Sequence, residues 1–346
     1  MQLISRHCVP REAEAILLRR SQSPLSVFKE LWWWDAVGLA ADIEHDILVI
    51  AGDEGDVAMM PLFRHSLPLI RRVGAPLRGT FTSCIGLRLL DTRIDNRAAC
   101  LQSVIRHAQT HLRANWMEFG YAVEEEPIAL QVHDAGSWRR EEKSTFVIDL
   151  ARNAEDAWTA LESRARNMIR KAEKNDVRIL RLEGTEGDIE QFYGMLKATF
   201  AKSGSRPPHS KRFYATLVRK LLEGDHMLFL AAELRGERIA FGMFPFNAHE
   251  MQYLSGTSSP TGNAVAANSL IQWEAIRFAV GRGLRRYDLG GGGIASIDKF
   301  KMSFGGRPEI YSRYTWMVPW LRGALGVYLK VRPLTQNIRT RFTGRS

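Results

Sequence analysis

Cysteine is scarce in this chain of 346 residues: Cys8, Cys84 and Cys100 are all there is. An odd number, without C-x-x-C or mixed Cys/His spacing, excludes a disulfide framework and a zinc cluster, so no metal site is expected and the thiols are expected to be reduced. Long apolar runs are missing as well. No uncharged stretch approaches the roughly 20 residues that span a bilayer, and residues 1–10 lack the basic start and apolar core of a secretory leader. A cytoplasmic protein is the expectation. G-x-G-x-x-G, G-x-x-x-x-G-K-[ST] and G-x-S-x-G are all absent, which argues against Rossmann, Walker and serine-hydrolase chemistry.

What is present is apolar material and positive charge. The chain is 45% hydrophobic and 25% charged, enough for one large or two medium cores. It carries 48 Lys+Arg against 38 Asp+Glu, a formal net charge of +10. Such an excess calls for an anionic partner: nucleic acid, a phosphorylated small molecule or a membrane surface.

Periodicity gives a mixed α+β pattern. Helices are predicted at about 11–20 and 96–113, a hairpin over 46–63 around Gly52-Asp53-Glu54-Gly55, and a strand over 116–120. The second half repeats this plan at greater length. A strand is predicted over 145–150, then an amphipathic helix capped by Asn153, with Trp158, Leu161, Ala165, Met168, Ile169 and Ala172 on one face. Helices at 188–200 and 210–222 lead to three antiparallel strands, 227–234, 239–246 and 251–255. A loop over 256–263, a helix over 264–281 and a strand over 285–289 follow. Each half ends its helix–turn–strand unit on acid, apolar, glycine: Glu118-Phe119-Gly120 and Asp288-Leu289-Gly290. That rhyme points to a duplicated α+β domain.

The most informative stretch runs from Met251 to Gly281. A strand that ends in a small-residue loop and feeds a helix presents free N–H groups and the positive end of the helix dipole, which suits phosphate. Ser255, Gly256, Gly262, Asn263 and Ala264 are the candidate cofactor-binding residues. Asp288, at a strand end beside a run of glycines, is a candidate to take a proton or orient an amine; binding the following loop is the competing role. Tyr253 is a candidate acid, or a core aromatic. Arg166, Arg170 and Lys171 make one basic helix face, and with Lys299 they are candidate phosphate-binding residues, or a solvated surface.

The loop Ser259-Pro260-Thr261-Gly262-Asn263-Ala264 resembles the R/Q-x-x-G-x-G/A loop of GNAT acetyltransferases, with Ser259 where Arg or Gln belongs. A wider resemblance covers about residues 145–305. Ser163-Arg164-Ala165-Arg166-Asn167-Met168-Ile169-Arg170-Lys171-Ala172-Glu173, then Tyr287-Asp288-Leu289-Gly290-Gly291, then Phe300-Lys301-Met302-Ser303-Phe304-Gly305-Gly306 resemble the FemAB-like and CelD (BcsL)-like transferases. The resemblance implies tandem GNAT-like domains, a mainly antiparallel sheet flanked by helices, divided as 1–144, 145–315 and a tail over 316–346. It implies transfer of an acyl group from acyl-CoA to an amine of a cell-envelope glycan or exopolysaccharide precursor, with aminoacyl-tRNA and a peptidoglycan precursor as the alternative pair. It also maps a functional lysine onto Lys301. Amine acylation needs a neutral amine, donors for the oxyanion and an acid for the leaving group, and no covalent intermediate.

The tail concentrates the charge. Residues 319–346 contain Arg322, Lys330, Arg332, Arg339, Arg341 and Arg345 and no acid. Trp316, Trp320, Leu321, Leu325, Tyr328 and Leu329 fall near helical spacing among them, the pattern of an interfacial helix. Peripheral contact of 316–346 with the anionic inner membrane is therefore expected, with a tRNA partner only under the alternative donor. A non-catalytic RNA- or membrane-binding module is the reading from a different class.

Overall fold

The computed structural model describes residues 3–19, 26–53, 55–90, 97–122 and 138–326. The first half runs β1 (Ile4–Cys8), α1 (Pro10–Arg19), α2 (Leu31–Ala41), β2 (Glu44–Gly52), β3 (Gly55–Leu67), β4 (Ile70–Ala75), β5 (Arg88–Leu89), α3 (Arg97–Thr110) and β6 (Trp116–Ala122). The second runs β7 (Trp138–Asp149), α4 (Ala154–Ala160), α5 (Ser163–Lys174), β8 (Arg178–Arg181), α6 (Glu186–Ala201), α7 (Lys211–Glu223), β9 (Met227–Leu234) and β10 (Glu237–Pro245). It continues with β11 (Glu250–Gln252), β12 (Ser255–Ser258), α8 (Pro260–Ala264), α9 (Ala267–Gly281), β13 (Arg286–Gly291), α10 (Ala295–Ser303) and β14 (Arg307–Met317).

One large sheet crosses both halves in the order β1-β2-β3-β4-β6-β14-β7-β13-β11, with β5 on β3; a second sheet is β12-β10-β9-β8. The expected α+β class and mainly antiparallel sheet are what is found. The duplication is visible in the pairing. In each half a helix, α3 or α9, connects two parallel strands, and the acid of the repeated triplet sits on the second of them: Glu118 opposite Gly74, Asp288 opposite Gln252.

The halves are joined by β14, which pairs with β6 on one side and β7 on the other over most of its length. Residues 144 and 145 both lie within β7, and 315 and 316 both within β14. One core cluster holds β2, β3 and α2 of the first half together with Phe192, Phe213, Tyr214 and Phe229 of the second; the other lies between α5, α9 and the opposite face of β9 and β10.

Three elements differ from their sequence patterns. The aromatic-rich segment over 31–39, to which the sequence pattern assigns no element, is helical, with Trp33 and Trp34 fully buried and their indole N–H groups donating to Thr82 Oγ1 at 3.0 Å and Phe28 O at 2.8 Å. The amphipathic face over 158–172 is split into α4 and α5 at Leu161, where Arg166 turns back to donate to the carbonyls of Thr159 and Leu161. Third, the single strand expected over 251–255 divides between the sheets: β11 joins β13 in the large sheet, and the chain then crosses to pair β12 with β10. Mainly polar residues carry that second piece, so apolar alternation does not reveal it.

Candidate active site

The crossing from β11 to β12 opens a cleft between the two sheets. Tyr253 N donates to Asp288 O at 2.7 Å, the last link to β13, and Leu254 N donates to Met243 O at 3.0 Å, the first link to β10. A cavity of about 900 Å³ fills the opening, lined by Tyr253, Ser255, Gly256 and Asn268 on one side and by Asp288, Gly290, Phe300 and Lys301 on the other. The first half closes it with Phe81, Thr82 and Ser83. Arg313 holds this loop by donating to Thr82 O at 2.6 Å and Ser83 O at 3.3 Å.

A second cavity, about 530 Å³, lies beside Glu250, Arg286, Glu309, His249 and Asp149. The two cavities share Phe28, Ser83, Thr145, Gln252, Asp288 and Tyr311 as lining. Asp288 thus stands in their common wall.

Its carboxylate is 6% exposed and accepts from the Thr145 hydroxyl and from Gly290 N at 2.7 Å. Burial pushes its pKa above the usual aspartate value, against those two bonds and the charges of Arg286 and Lys301. Lys301 is buried as well, and its ammonium donates to Gly290 O at 2.8 Å and Gly291 O at 2.6 Å, over the Phe146 ring. Burial lowers its pKa. Gly290 turns at φ +80°, which lets one short loop serve both residues: its N–H meets the acid and its carbonyl meets the lysine. Tyr253 stacks on Phe244 with centroids 5.4 Å apart, and its hydroxyl lies where a side chain on Gly256 would begin. Burial raises its pKa to about 12, so it stays protonated at neutral pH.

Asp288 and Lys301 therefore meet around one glycine turn, which Tyr253 reaches through its backbone while carrying its hydroxyl toward Gly256. The candidate cofactor residues are divided. Ser255 and Gly256 line the cleft; Gly262 is buried, its Cα packed on β10 so that a Cβ would lie 2.4 Å from Ile239 O; Asn263 and Ala264 are exposed on α8. The Gly262 N–H is taken by the Ser259 hydroxyl at 3.0 Å. The long helix starts at Ala267, after Ala266 in the left-handed region, and it is Asn268 in its first turn that lines the cleft. Arg166, Arg170, Lys171 and Lys299 line neither cavity: Arg166 braces the α4–α5 junction, Arg170 lies over the Trp158 ring at 5.4 Å, and Lys171 and Lys299 are exposed.

Several cleft residues carry little sequence signal. Glu250 is buried and accepts from Ser26 Oγ at 2.9 Å, Val27 N at 3.2 Å, Arg286 Nε at 3.1 Å and the Gln252 amide. Burial, and then the charge of Asp288, raises its pKa. Burial pulls Arg286 down, but Glu309, Glu250 and Asp288 outweigh it and keep its pKa above the usual value. His209, which reads as a loop histidine, is stacked on Phe213 at 3.9 Å and packed on Phe81 at 4.4 Å; burial lowers it to about 4, leaving it neutral. The alternation Glu250-Met251-Gln252, polar residues flanking an apolar one in a buried strand, is the signal that was there to find the Glu250 network.

Among the described residues no group of His, Cys, Asp and Glu could hold a metal ion, and no helix is long and apolar enough to cross a membrane.

Residues 161–302 match the family described as the acetyltransferase (GNAT) domain. No curated protein matches the chain. Among solved structures, that of FemX has a TM-score of 0.70 at 12% identity, covering 93% of this chain and 99% of that one. A tandem GNAT protein from the clavulanic acid biosynthesis pathway has a TM-score of 0.58 at 11% identity, covering 91% and 98%. The C-terminal domain of a putative lysylphosphatidylglycerol synthetase from Agrobacterium fabrum has 0.55 at 11%, covering 92% and 97%. The fold is thus like that of tandem GNAT proteins, and residues 161–302 are similar in sequence to the GNAT acetyltransferase domain.

Proposed function

We propose that the chain is an N-acyltransferase that passes an acyl group from acyl-CoA to an amine on a cell-envelope or exopolysaccharide precursor. The observation that carries this reading is Asp288, a buried carboxylate in the wall common to two cavities, so that one group can face a donor in the first and an acceptor in the second. The larger cleft suits the donor, because the N-terminal end of α9 and the small residues Ser255 and Gly256 leave room and positive dipole for phosphate. The smaller cavity, with Glu250, Glu309 and Asp149, suits an amine-bearing acceptor, whose nitrogen meets Asp288 in its neutral form.

In this reading the amine nitrogen attacks the thioester carbonyl, a C–N bond forms, and the carbon–sulfur bond breaks. Asp288 takes the proton from nitrogen. Tyr253 donates one to the departing thiolate. Lys301 keeps the Gly290–Gly291 turn in place and has one N–H beyond the two that bind carbonyls. Of the tail read over 316–346, Trp316 and Met317 are strand residues of β14 rather than helix, and 327–346 lie outside the described residues. In this reading the segment beyond β14 rests on the anionic inner membrane and holds the enzyme near its acceptor, inside the cell.

A second donor is aminoacyl-tRNA with a peptidoglycan precursor as acceptor, favoured by the FemAB-like motifs and the basic surface; a non-catalytic RNA- or membrane-binding module is the remaining reading. Incubation with labelled acetyl-CoA or labelled aminoacyl-tRNA and a pool of envelope precursors decides among them. Label passing to an amine from CoA is the expected result. Transfer from tRNA alone overturns the donor, and no transfer together with salt-sensitive RNA binding overturns the enzyme.

A further inference from the structure

The hairpin of β3 and β4 turns through Pro68 and Leu69, with Leu67 opposite Ile70. Leu69 is 83% exposed, more than any other large apolar residue described, and Leu67 is 48% exposed. Leu69 also sits at φ +67°, the left-handed region. A turn with proline first and left-handed backbone second ordinarily takes glycine or asparagine there, and a branched side chain costs about 1–2 kcal/mol. Among the described residues nothing repays that cost, since the side chain is left almost bare. That points to a contact made beyond them.

The surroundings say what. Asn115 donates to Leu69 O at 2.7 Å, accepts from Arg71 N at 2.8 Å, and accepts Val318 N on its carbonyl at 3.1 Å. One residue thus ties the hairpin tip to the point where β14 gives way to the C-terminal segment. Trp320, 54% exposed, stands two residues beyond that bond. Arg71, Arg113 and Arg322 are exposed on the same end of the sheet, and Glu44, at the near end of β2, is paired with Arg64 at 3.1 Å. The chain then continues through residues 327–346 with five further Lys and Arg and no acid.

We propose that the β3–β4 tip is a membrane-docking element: Leu67, Leu69 and Trp320 enter the interfacial layer of an anionic bilayer while Arg71, Arg113 and Arg322 meet its headgroups. This deepens the reading of 316–346 as a membrane-facing tail, by adding an apolar contact from a different part of the chain. It also orients the enzyme. Two residue pairs in from the tip, His65 opposes Arg72 across the hairpin, and both line a groove that shares Gly79, Pro208 and His209 with the large cleft. The groove below the tip and the large cleft thus share one stretch of wall.

The test is co-sedimentation of the full chain with phosphatidylcholine vesicles, with and without phosphatidylglycerol. Leu69→Asn is the informative variant, because asparagine tolerates left-handed backbone and the fold should be at least as stable. Partition onto vesicles containing phosphatidylglycerol is expected to fall about tenfold in Leu69→Asn and further in Leu67→Ser/Leu69→Asn. Unchanged partition in the double variant overturns the proposal, even if Arg339→Glu/Arg341→Glu/Arg345→Glu abolishes binding and so sustains the tail. A wild-type dimer that Leu69→Asn dissociates also overturns it, in favour of a protein interface. Acyl transfer to a soluble amine is a separate readout: its absence from wild type refutes the proposed function and leaves tip-dependent partition standing.

Discussion

Asp288 and Glu118 occupy matching places in the two halves, yet their surroundings set them apart. Glu118 accepts from Arg72 at 3.2 Å, Arg78 N at 2.8 Å and the Trp116 indole at 3.0 Å, so its charge is spent within the first half. Asp288 has a hydroxyl and one backbone N–H, and two cavities beside it. Because its pKa is raised by burial, the folded state holds the proton more tightly than the unfolded chain does. The stability that this proton brings is present at low pH and is lost as pH rises through the folded pKa. Asp288→Asn keeps an acceptor for Thr145 and Gly290 without the charge. It is expected to raise the thermal midpoint at neutral pH, to remove that pH dependence, and to lower kcat by about 10²–10⁴-fold, read by melts across pH beside steady-state rates. Lys301 offers the complementary case: Lys301→Met leaves the carbonyls of half-buried Gly290 and exposed Gly291 without their donor and should cost about 1 kcal/mol in denaturant unfolding. Both residues were legible in the sequence through their flanking motifs. Arg166, Arg170, Lys171 and Lys299 looked equally chemical, but a basic helix face records only the side away from the core, and this face turns away from the cleft.

At the scale of elements, the segment over 250–264 shows where sequence reading succeeds and where it stops. A strand, small residues and a long helix are there in that order. The crossing between sheets at Tyr253–Leu254 is not written in any periodicity, because it depends on which neighbour each piece of strand finds. The two glycines of the segment, alike in sequence, do different work. A Cβ on Gly262 would meet the backbone at Ile239 O at 2.4 Å, which neither chain can avoid; a Cβ on Gly256 would meet the Tyr253 hydroxyl, which can swing away. Gly262→Ala should therefore destabilise the fold by roughly 2 kcal/mol, with activity per folded molecule preserved. Gly256→Ala should keep the fold and lose turnover, with kcat falling more than KM changes, since it displaces the proposed acid rather than the donor. Urea unfolding and steady-state kinetics on the two variants separate these outcomes, and matched behaviour in both would count against a special place for Tyr253.

For the whole molecule, the repeated triplet made a duplicated fold legible, while the way the copies join was hidden. Strand pairings between residues some 200 positions apart, such as Tyr311 with Ala122, leave no local pattern. The apolar residues of α7 read only as one face of a helix; that they bury against α2 of the first half, in a core cluster that α6 also enters, follows from β14 drawing the halves together. Trp32 stacking on His226 at 4.0 Å and Asn247 donating to Glu30 at 2.9 Å belong to the same seam. Two domains with separate cores would melt in two steps. Here one core cluster contains side chains of both halves, and a sheet runs through them unbroken, so neither half can lose its packing without exposing the other's apolar face. Calorimetry is expected to show a single transition with van't Hoff and calorimetric enthalpies in agreement. A large-to-small change at the seam, Phe213→Ala, should move that whole transition by about 3–5 kcal/mol of stability and leave it single. Two resolved transitions would mean that the cleft, and Asp288 within it, lies between bodies that move independently.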